Sequence, residues 1–136
     1  MIVTREFRFE AAHRLPHHGG KCKHLHGHSY RVEVQVEAVV DSSTGISVDF
    51  GDLKPLGKWI DDYLDHATLV WRGDSPLLSF LSDGGQKHFV TDSPPTAETL
   101  ALLLRTVASE LIVGGSARFV RVWETVNCSA LAGVIA

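Results

Sequence analysis

The sequence predicts an α+β fold, because strand-like segments near both ends enclose two segments with helical periodicity. Residues 2–13 and 26–38 alternate apolar and polar side chains, which is typical of strands with one buried face. Residues 53–64 and 96–113 instead space their apolar side chains at helical intervals. Residues 119–126 return to a strand pattern. The order of strand pair, helices and strand pair indicates one α+β domain that spans all 136 residues.

The first strand pair carries histidines on its apolar side. His13 has the same parity as Phe9, and His26 and His28 have the same parity as Tyr30 and the apolar residues that follow it. Side chains of equal parity leave the same face of a strand. An antiparallel pairing of the two segments would therefore bring the three imidazoles together on the protected face.

The helices and the last strand have clear boundary signals. The segment at 53–64 predicts the first long helix, and a shorter helix is expected after Pro76. The Pro-Pro-Thr sequence at 94–96 begins the second long helix, and Gly114–Gly115 ends it. Residues 131–135 are expected to pair with the strand before them.

Composition excludes several classes of partner. The formal net charge is −3, with 44% hydrophobic residues, which is ordinary for a soluble globular protein. No run of Lys or Arg indicates binding to nucleic acid or to a membrane surface. The start, Met-Ile-Val-Thr-Arg-Glu, lacks the apolar stretch of a signal peptide, and no segment reaches membrane-spanning length. We therefore expect a cytoplasmic protein in which Cys22 and Cys128 are reduced.

The stretch from Cys22 to His28 places one thiol and three imidazoles at alternate positions. If it were all strand, the four side chains would leave one face. Neutral imidazole is a good Zn²⁺ ligand, and three histidines with an open fourth position are the pattern of a catalytic zinc, here His13, His26 and His28. Packing or surface histidines are the alternative, but it requires the shared parity of all three to be coincidental. His24 shares the face but lies where the strand begins, and it receives no role.

Two interpretations of Cys22 follow from its position. As a fourth ligand, the thiolate would close the site and make the zinc structural, as in a non-enzymatic zinc-binding module. As a free thiolate beside a cation, it could remove a proton from a substrate. The residues alone leave both interpretations open.

Several short motifs occur in order from residue 9 to residue 125. Phe-Glu-Ala-Ala-His ends at His13, and Cys-x-x-x-His-Gly-His-Ser-Tyr begins at Cys22. Downstream lie Val-Asp-Phe-Gly-Asp-Leu-Lys, Leu-Asp-His, Pro-Thr-Ala-Glu and Val-Trp-Glu-Thr, which begin at residues 48, 64, 95 and 122. Together these motifs resemble the 6-pyruvoyl-tetrahydropterin synthase and 6-carboxytetrahydropterin synthase family over nearly the whole chain.

The resemblance implies roles for individual residues. It makes the three strand histidines the zinc ligands, namely His13, His26 and His28. It makes Cys22 the catalytic base rather than a ligand, and Asp65 with His66 the partners of an acid–base relay. General acid–base groups of these types can move protons in an elimination reaction.

The resemblance also implies how the substrate is held. Glu124 would anchor the pterin ring, because a carboxylate can accept parallel hydrogen bonds from ring N3–H and the 2-amino group. Thr96 would add a further pterin contact. Glu98 is explained by its place in the first turn of a helix, and Cys128, which belongs to no motif, is expected to be inert.

The spacing of the second motif distinguishes two reactions within the family. The three residues between Cys22 and His26 resemble the short spacing of bacterial carboxytetrahydropterin synthases. The resemblance thus implies conversion of 7,8-dihydroneopterin triphosphate to 6-carboxy-5,6,7,8-tetrahydropterin, acetaldehyde and triphosphate, in 7-deazaguanine (queuosine) biosynthesis. One alternative is the pyruvoyl-forming lyase, and another is a zinc- or pterin-binding protein without catalysis.

The resemblance finally implies the tunnelling fold, or T-fold. This fold has a four-stranded antiparallel sheet packed on two long antiparallel helices. Three subunits form a barrel, and two trimers stack into a homohexamer with active sites between subunits. In that arrangement Cys22 and Glu124 would reach one substrate from different chains.

Overall fold

The computed structural model describes residues 1–133, in which three α-helices accompany a six-stranded sheet. The strands are β1 (Ile2–His13), β2 (His26–Glu37), β3 (Ala67–Trp71), β4 (His88–Thr91), β5 (Ser116–Trp123) and β6 (Ser129–Gly133). The helices are α1 (Lys54–Tyr63), α2 (Ser75–Asp83) and α3 (Ala97–Leu111). Short 3₁₀ turns cover Lys21–Lys23 and Phe50–Leu53. The strand order is β4-β3-β1-β2-β5-β6, which confirms the α+β class.

The sheet is larger than predicted, and it is mixed. The expected four-stranded antiparallel sheet is present as β1, β2, β5 and β6. However, β3 runs parallel to the end of β1 at Ala11–His13, and β4 runs parallel to β3. The prediction was wrong here because β3 and β4 are only five and four residues long and show no regular alternation. β6 begins at Ser129, before the predicted segment 131–135, whose last two residues lie outside the described part of the chain.

The β1–β2 hairpin follows the predicted parity and positions the histidines. Phe9 pairs with Tyr30, and His13 pairs directly with His26. The apolar face of β2 is fully buried from Tyr30 onward at every second residue, namely at Val32, Val34 and Val36. β-branched side chains suit such a half-buried surface. The hairpin register therefore places the histidines on the same face as the core residues, at the end of the hairpin.

Helices α1 and α3 cover this core face, as predicted. Thr96 caps α3 by accepting a hydrogen bond from the Thr99 main-chain N–H at 3.1 Å. Both helices contribute fully buried side chains to the core that contains the β2 valines, namely Leu56, Ile60, Leu100 and Leu104. Burial of each such side chain stabilises the fold by about 1.5–3 kcal/mol. No helix within residues 1–133 is long and apolar enough to cross a membrane.

The shorter helix α2 is anchored to the segment after β1. Asp74 is buried and caps α2 at the Leu77 main-chain N–H. The same carboxylate accepts two hydrogen bonds from the Arg14 guanidinium, at 2.6 and 2.7 Å. This bidentate pair connects the residue after His13 to the start of α2. Before α1, Asp49 caps the 3₁₀ turn that begins at Phe50.

Candidate metal centre and active site

Three imidazoles meet at the end of the β1–β2 hairpin. One ring nitrogen from each of His13, His26 and His28 lies within 4.8 Å of the others, and we call this group the histidine triad. His13 is fully buried, whereas His26 and His28 are half-buried. Direct pairing of His13 with His26, and the two-residue repeat to His28, place all three rings on one face. The structure thus brings together the predicted ligand set.

Main-chain carbonyls fix the orientation of two rings. His13 Nδ1 lies 2.7 Å from the Pro95 carbonyl, and His26 Nδ1 lies 2.6 Å from the His24 carbonyl. A carbonyl can only accept, so each Nδ1 must carry the proton and donate it. In the neutral ring, Nε2 then presents its lone pair to the triad. This arrangement is the usual support for metal-binding histidines.

The triad fits a cation by its electrostatics. Burial lowers the pKa of His13 and of His28, which favours neutral rings. Nε2 of both residues is buried and has no hydrogen-bond partner within the described chain. An unsatisfied buried nitrogen is costly, and one cation bound by both nitrogens would remove that cost. Neutral imidazole nitrogens of this kind suit Zn²⁺.

Glu124, which immediately follows β5, lies beside two of the three imidazoles. Its Oε1 lies 3.4 Å from His13 Nε2 and 3.7 Å from His28 Nε2. No Lys or Arg of residues 1–133 forms a salt bridge with this carboxylate. Glu124 was predicted to contact a pterin ring, and its location beside the triad was not predicted.

Cys22 lies in a pocket beside the triad rather than on the strand. Lys21–Lys23 form a 3₁₀ turn and β2 begins at His26, where the sequence predicted that the strand begins, so Cys22 does not share the strand face of the histidines. Cys22 and Glu124 line one pocket of about 330 Å³, together with Thr96 and Cys128, and we call this the thiol pocket. The expectation that Cys22 and Glu124 come from different chains is not needed, because one chain places both in this pocket.

Thr96 and Cys128 line the thiol pocket and also have structural roles that were not predicted. Thr96 uses its hydroxyl to cap α3, as described above, and also faces the pocket. Cys128, expected to be inert, is exposed there, and its carbonyl accepts a hydrogen bond from the Glu124 main-chain N–H. Cys128 therefore helps to hold the backbone that carries Glu124.

Asp65 and His66 form a hydrogen-bonded pair, which we call the dyad. Asp65 Oδ2 lies 2.7 Å from His66 Nδ1, and Asp65 Oδ1 accepts the Glu10 main-chain N–H at 2.8 Å. The bond from Glu10 and the one with His66 lower the pKa of Asp65, so the carboxylate is ionised at neutral pH. His66 is the one non-glycine residue of the described chain with a positive φ, 59°. Its side chain is 79% exposed.

The dyad and the thiol pocket are separate places in one chain. His66 lines a second pocket of about 410 Å³ with Lys87, Ser29 and His28 of the triad, and we call this the dyad pocket. No residue that lines this dyad pocket also lines the thiol pocket. Glu124 connects the triad to the thiol pocket, and His28 connects the triad to the dyad pocket. One chain therefore does not bring His66 into the pocket that Cys22, Thr96 and Glu124 line.

Sequence reasoning missed the groups that support the site. The carbonyls of Pro95 and His24 orient ligand rings through main-chain atoms, which no side-chain pattern can reveal. Lys87 donates to the main-chain carbonyls of Asp61 and Asp65, and so holds the turn before the dyad. Only Asp74 had a readable signal, since Asp before Ser-Pro is a helix-start sequence.

Comparison with known proteins agrees with this geometry. The family model described as 6-pyruvoyl tetrahydropterin synthase matches residues 2–133. A Rickettsia bellii protein named 6-carboxy-5,6,7,8-tetrahydropterin synthase is 36% identical over 130 residues, covering 92% of this chain and 94% of that protein. A Synechocystis protein of the same name is 49% identical over 70 residues, 48% of this chain and 54% of that protein.

Solved structures share the fold at low sequence identity. An uncharacterised Wolinella succinogenes protein has a TM-score of 0.83 at 22% identity, covering 98% of this chain and 97% of its own. The 6-pyruvoyl tetrahydropterin synthase of Caenorhabditis elegans has a TM-score of 0.75 at 21% identity, covering 99% of this chain and 96% of its own. The family-model match across residues 2–133 and the 36% identity to the Rickettsia bellii protein show that the chain belongs to the 6-pyruvoyl tetrahydropterin synthase family.

Proposed function

We propose that this protein is a zinc-dependent carbon–carbon lyase. It converts 7,8-dihydroneopterin triphosphate to 6-carboxy-5,6,7,8-tetrahydropterin, acetaldehyde and triphosphate, in the cytoplasmic route to 7-deazaguanines such as queuosine. The observation that carries the proposal is that Cys22 and Glu124 line one pocket and that Glu124 also contacts His13 and His28 of the histidine triad. The names of the relatives and the three-residue spacing from Cys22 to His26 support the carboxy product.

The residues of the thiol pocket divide the work of binding and proton transfer. The histidine triad would hold Zn²⁺, which supplies Lewis-acid polarisation of the substrate side chain when bound. Cys22 removes a proton from that side chain as a general base. The Glu124 carboxylate accepts the ring N3–H and the 2-amino group, and Thr96 adds a polar contact at the start of α3. These roles place the reacting side chain of the substrate between the thiol and the triad.

The dyad completes this site only if a second subunit supplies it. Its Asp65 carboxylate keeps the His66 imidazole oriented, so that His66 can give or accept the second proton. Because the dyad pocket and the thiol pocket of one chain share no lining residue, we assign the dyad to the thiol pocket of a neighbouring chain. Assembly as a T-fold homohexamer of two stacked trimers would provide such neighbours.

Open sheet edges support this assembly. Within residues 1–133, the outer edge of β1 at residues 2–9 pairs with no strand, and neither does the outer edge of β6. Exposed edges of this kind can pair with a strand of another chain. Analytical ultracentrifugation of the purified protein tests the hexamer, and a monomer with full activity would contradict the proposed sharing of the dyad.

Incubation of zinc-loaded protein with 7,8-dihydroneopterin triphosphate tests the reaction. Acetaldehyde together with the carboxy product supports the proposal, whereas a pyruvoyl product assigns the other family reaction. Tight pterin binding without either product would indicate a binding protein. Mass spectrometry of the pterin and an aldehyde assay distinguish these outcomes.

Two cysteine variants separate a catalytic thiol from a metal ligand. Cys22→Ala is expected to keep zinc and assembly but to lose about 10²–10⁴-fold in turnover, the usual contribution of a general base. Cys128→Ala is the matched control, because Cys128 lines the same pocket with an exposed thiol. Loss of zinc in Cys22→Ala alone would instead support the closed, non-catalytic zinc module.

A further inference from the structure

A histidine lines the thiol pocket together with Cys22. His18 belongs to this pocket, whereas its neighbour His17 lines a different pocket and packs against Trp71. We propose that His18 binds the phosphate chain of the substrate, by donating a hydrogen bond from Nε2 to a phosphate oxygen. The inference rests on the proposed function for the identity of the substrate. It supplies a partner for the phosphates, to which the proposed function assigns no residue.

The main chain fixes the tautomer of the His18 ring. The Gly20 main-chain N–H donates a hydrogen bond to His18 Nδ1 at 2.9 Å. A ring nitrogen that accepts carries no proton, so the neutral ring carries its proton at Nε2. Gly20 permits this close approach, because a Cβ at that position would lie only 3.1 Å from His18 Cε1. His18 therefore presents a hydrogen-bond donor at Nε2.

Leu15 joins His18 to Cys22 through the main chain. The His18 N–H donates to the Leu15 carbonyl at 3.0 Å, and the Leu15 N–H donates to the Cys22 carbonyl at 2.8 Å. All three residues line the thiol pocket, and all three belong to the connection between β1 and β2. Because these bonds fold the connection back on itself, the imidazole and the thiol are held on one side of the pocket. The substrate side chain that reaches Cys22 therefore extends along the side that carries His18.

The acidic residues of the thiol pocket come from other elements. Glu98 in the first turn of α3 and Glu124 after β5 line the pocket. Both carboxylates repel a phosphate chain, whereas Glu124 attracts the donor edge of the pterin ring in the proposed function. In the connection, Lys21 and Lys23 are exposed and add positive charge near His18. The charges therefore direct the ring toward the carboxylates and the phosphates toward the connection.

Two competing explanations for the position of His18 make different predictions about ligands. If the ring only supports the turn at Gly20, its removal has no effect that depends on the phosphates. If Nε2 donates to the hydroxyl groups of the substrate side chain, its removal weakens pterins with and without phosphates alike. The affinities for two such pterins therefore separate both explanations from the proposed contact.

Binding of two pterins that differ only in the phosphates tests the inference. The ligands are 7,8-dihydroneopterin triphosphate and 7,8-dihydroneopterin, measured by isothermal titration calorimetry on zinc-loaded Cys22→Ala protein, which lacks the proposed base and leaves the triphosphate intact. In this background we expect His18→Ala to weaken binding of the triphosphate about tenfold or more, as for loss of a hydrogen bond to a charged group. Binding of 7,8-dihydroneopterin should change less than about twofold. An equal change for both ligands, or no change for either, would overturn the inference.

The adjacent histidine provides the matched control. His17→Ala also removes an exposed imidazole from the connection, but from the other pocket, and it should change triphosphate affinity less than about twofold. Steady-state kinetics in the chain that keeps Cys22 supplies a second measurement. There His18→Ala should raise KM about tenfold and change kcat less than about threefold, because a contact made equally in the ground state and the transition state affects KM. An unchanged KM, or the same rise in His17→Ala, would overturn the inference.

These outcomes are distinguishable from failure of the proposed function. If no product forms but binding of the triphosphate still depends on His18, the reaction is wrong and the phosphate contact holds. If the product forms and His18→Ala does not change the affinity for either pterin, the reaction holds and the contact is wrong. If neither pterin binds, both are wrong.

Discussion

Replacement of Asp74 by Asn should lower the free energy of unfolding, although Asp74 lies outside the candidate active site. The Asp74 carboxylate is buried and accepts two short hydrogen bonds from Arg14, whose side chain is 29% exposed. Removal of one partner of a fully buried pair costs about 3–5 kcal/mol. Because the guanidinium can regain water here, we expect a loss of about 2–3 kcal/mol in the free energy of unfolding.

Two substitutions of Asp74 separate the contribution of its pair with Arg14 from the contribution of its helix cap. Asn is as good a helix N-cap as Asp, so Asp74→Asn keeps the cap on α2 but removes the charge and one of the two acceptors for Arg14. Asp74→Ala also removes the cap and should cost about 1 kcal/mol more. Urea unfolding at one protomer concentration measures both variants, since assembly would make stability concentration-dependent.

The pH dependence supplies an independent check. Hydrogen bonds from Arg14 lower the folded-state pKa of Asp74 below 3.8. A depressed carboxyl pKa contributes stability that is present above the unfolded-state value and is lost as the pH falls through the folded-state value. The difference between wild type and Asp74→Asn should therefore be constant above about pH 5 and shrink below about pH 4.

A matched control sits at the other end of the same helix. Asp83 is exposed in the last turn of α2, and Asp83→Asn should change stability by less than about 0.5 kcal/mol. If Asp74→Asn unfolds at the same urea concentration as Asp83→Asn, the reasoning about the buried pair is refuted.

Three further predictions concern other parts of the molecule. His13→Ala should lower zinc content from about one ion per chain to near zero, whereas His24→Ala should not, because only the carbonyl of His24 serves the site. Metal analysis decides this, and equal loss in both variants would contradict it. Gly115→Ala should destabilise by about 1–3 kcal/mol, since a Cβ there would lie 2.6 Å from Val36 Cγ1; unchanged urea unfolding would oppose it. Lys87→Met should lower turnover roughly tenfold or more at unchanged zinc content, because the turn before the dyad loses its donor. Wild-type turnover in Lys87→Met would contradict a role for Lys87 in positioning the dyad.

The alternation of side chains along the two strands allowed the histidine triad to be predicted from the sequence. His13 shares a face with Phe9, and His26 shares one with Tyr30, so the alternation that builds the core also places the ligands. Parity could not place Cys22, because Cys22 lies before the strand in a 3₁₀ turn that only local backbone geometry defines.

Tertiary contacts limited the rest of the prediction. β3 and β4 are too short to show a period, and their parallel pairing joins segments that are distant in the chain. Glu124 could be assigned to a ligand but not to a position beside the triad, because that position depends on how β5 pairs with β2. Arg14 and Asp74 are 60 residues apart, and nothing local marks them as partners.

The direct pairing of His13 with His26 fixes the spacing of the imidazoles independently of the position of Cys22. Ligand spacing is fixed by the hydrogen-bonded ladder, in which a shift by one residue would turn every imidazole to the opposite face. Cys22 instead lies in the connection between β1 and β2, residues 14–25. The length of this connection can change while the strand pairing stays intact. A change in the length of this connection would therefore move Cys22 while the three imidazoles keep their spacing. A longer connection grafted onto this hairpin would test whether the position of the proposed base affects the product at unchanged metal content.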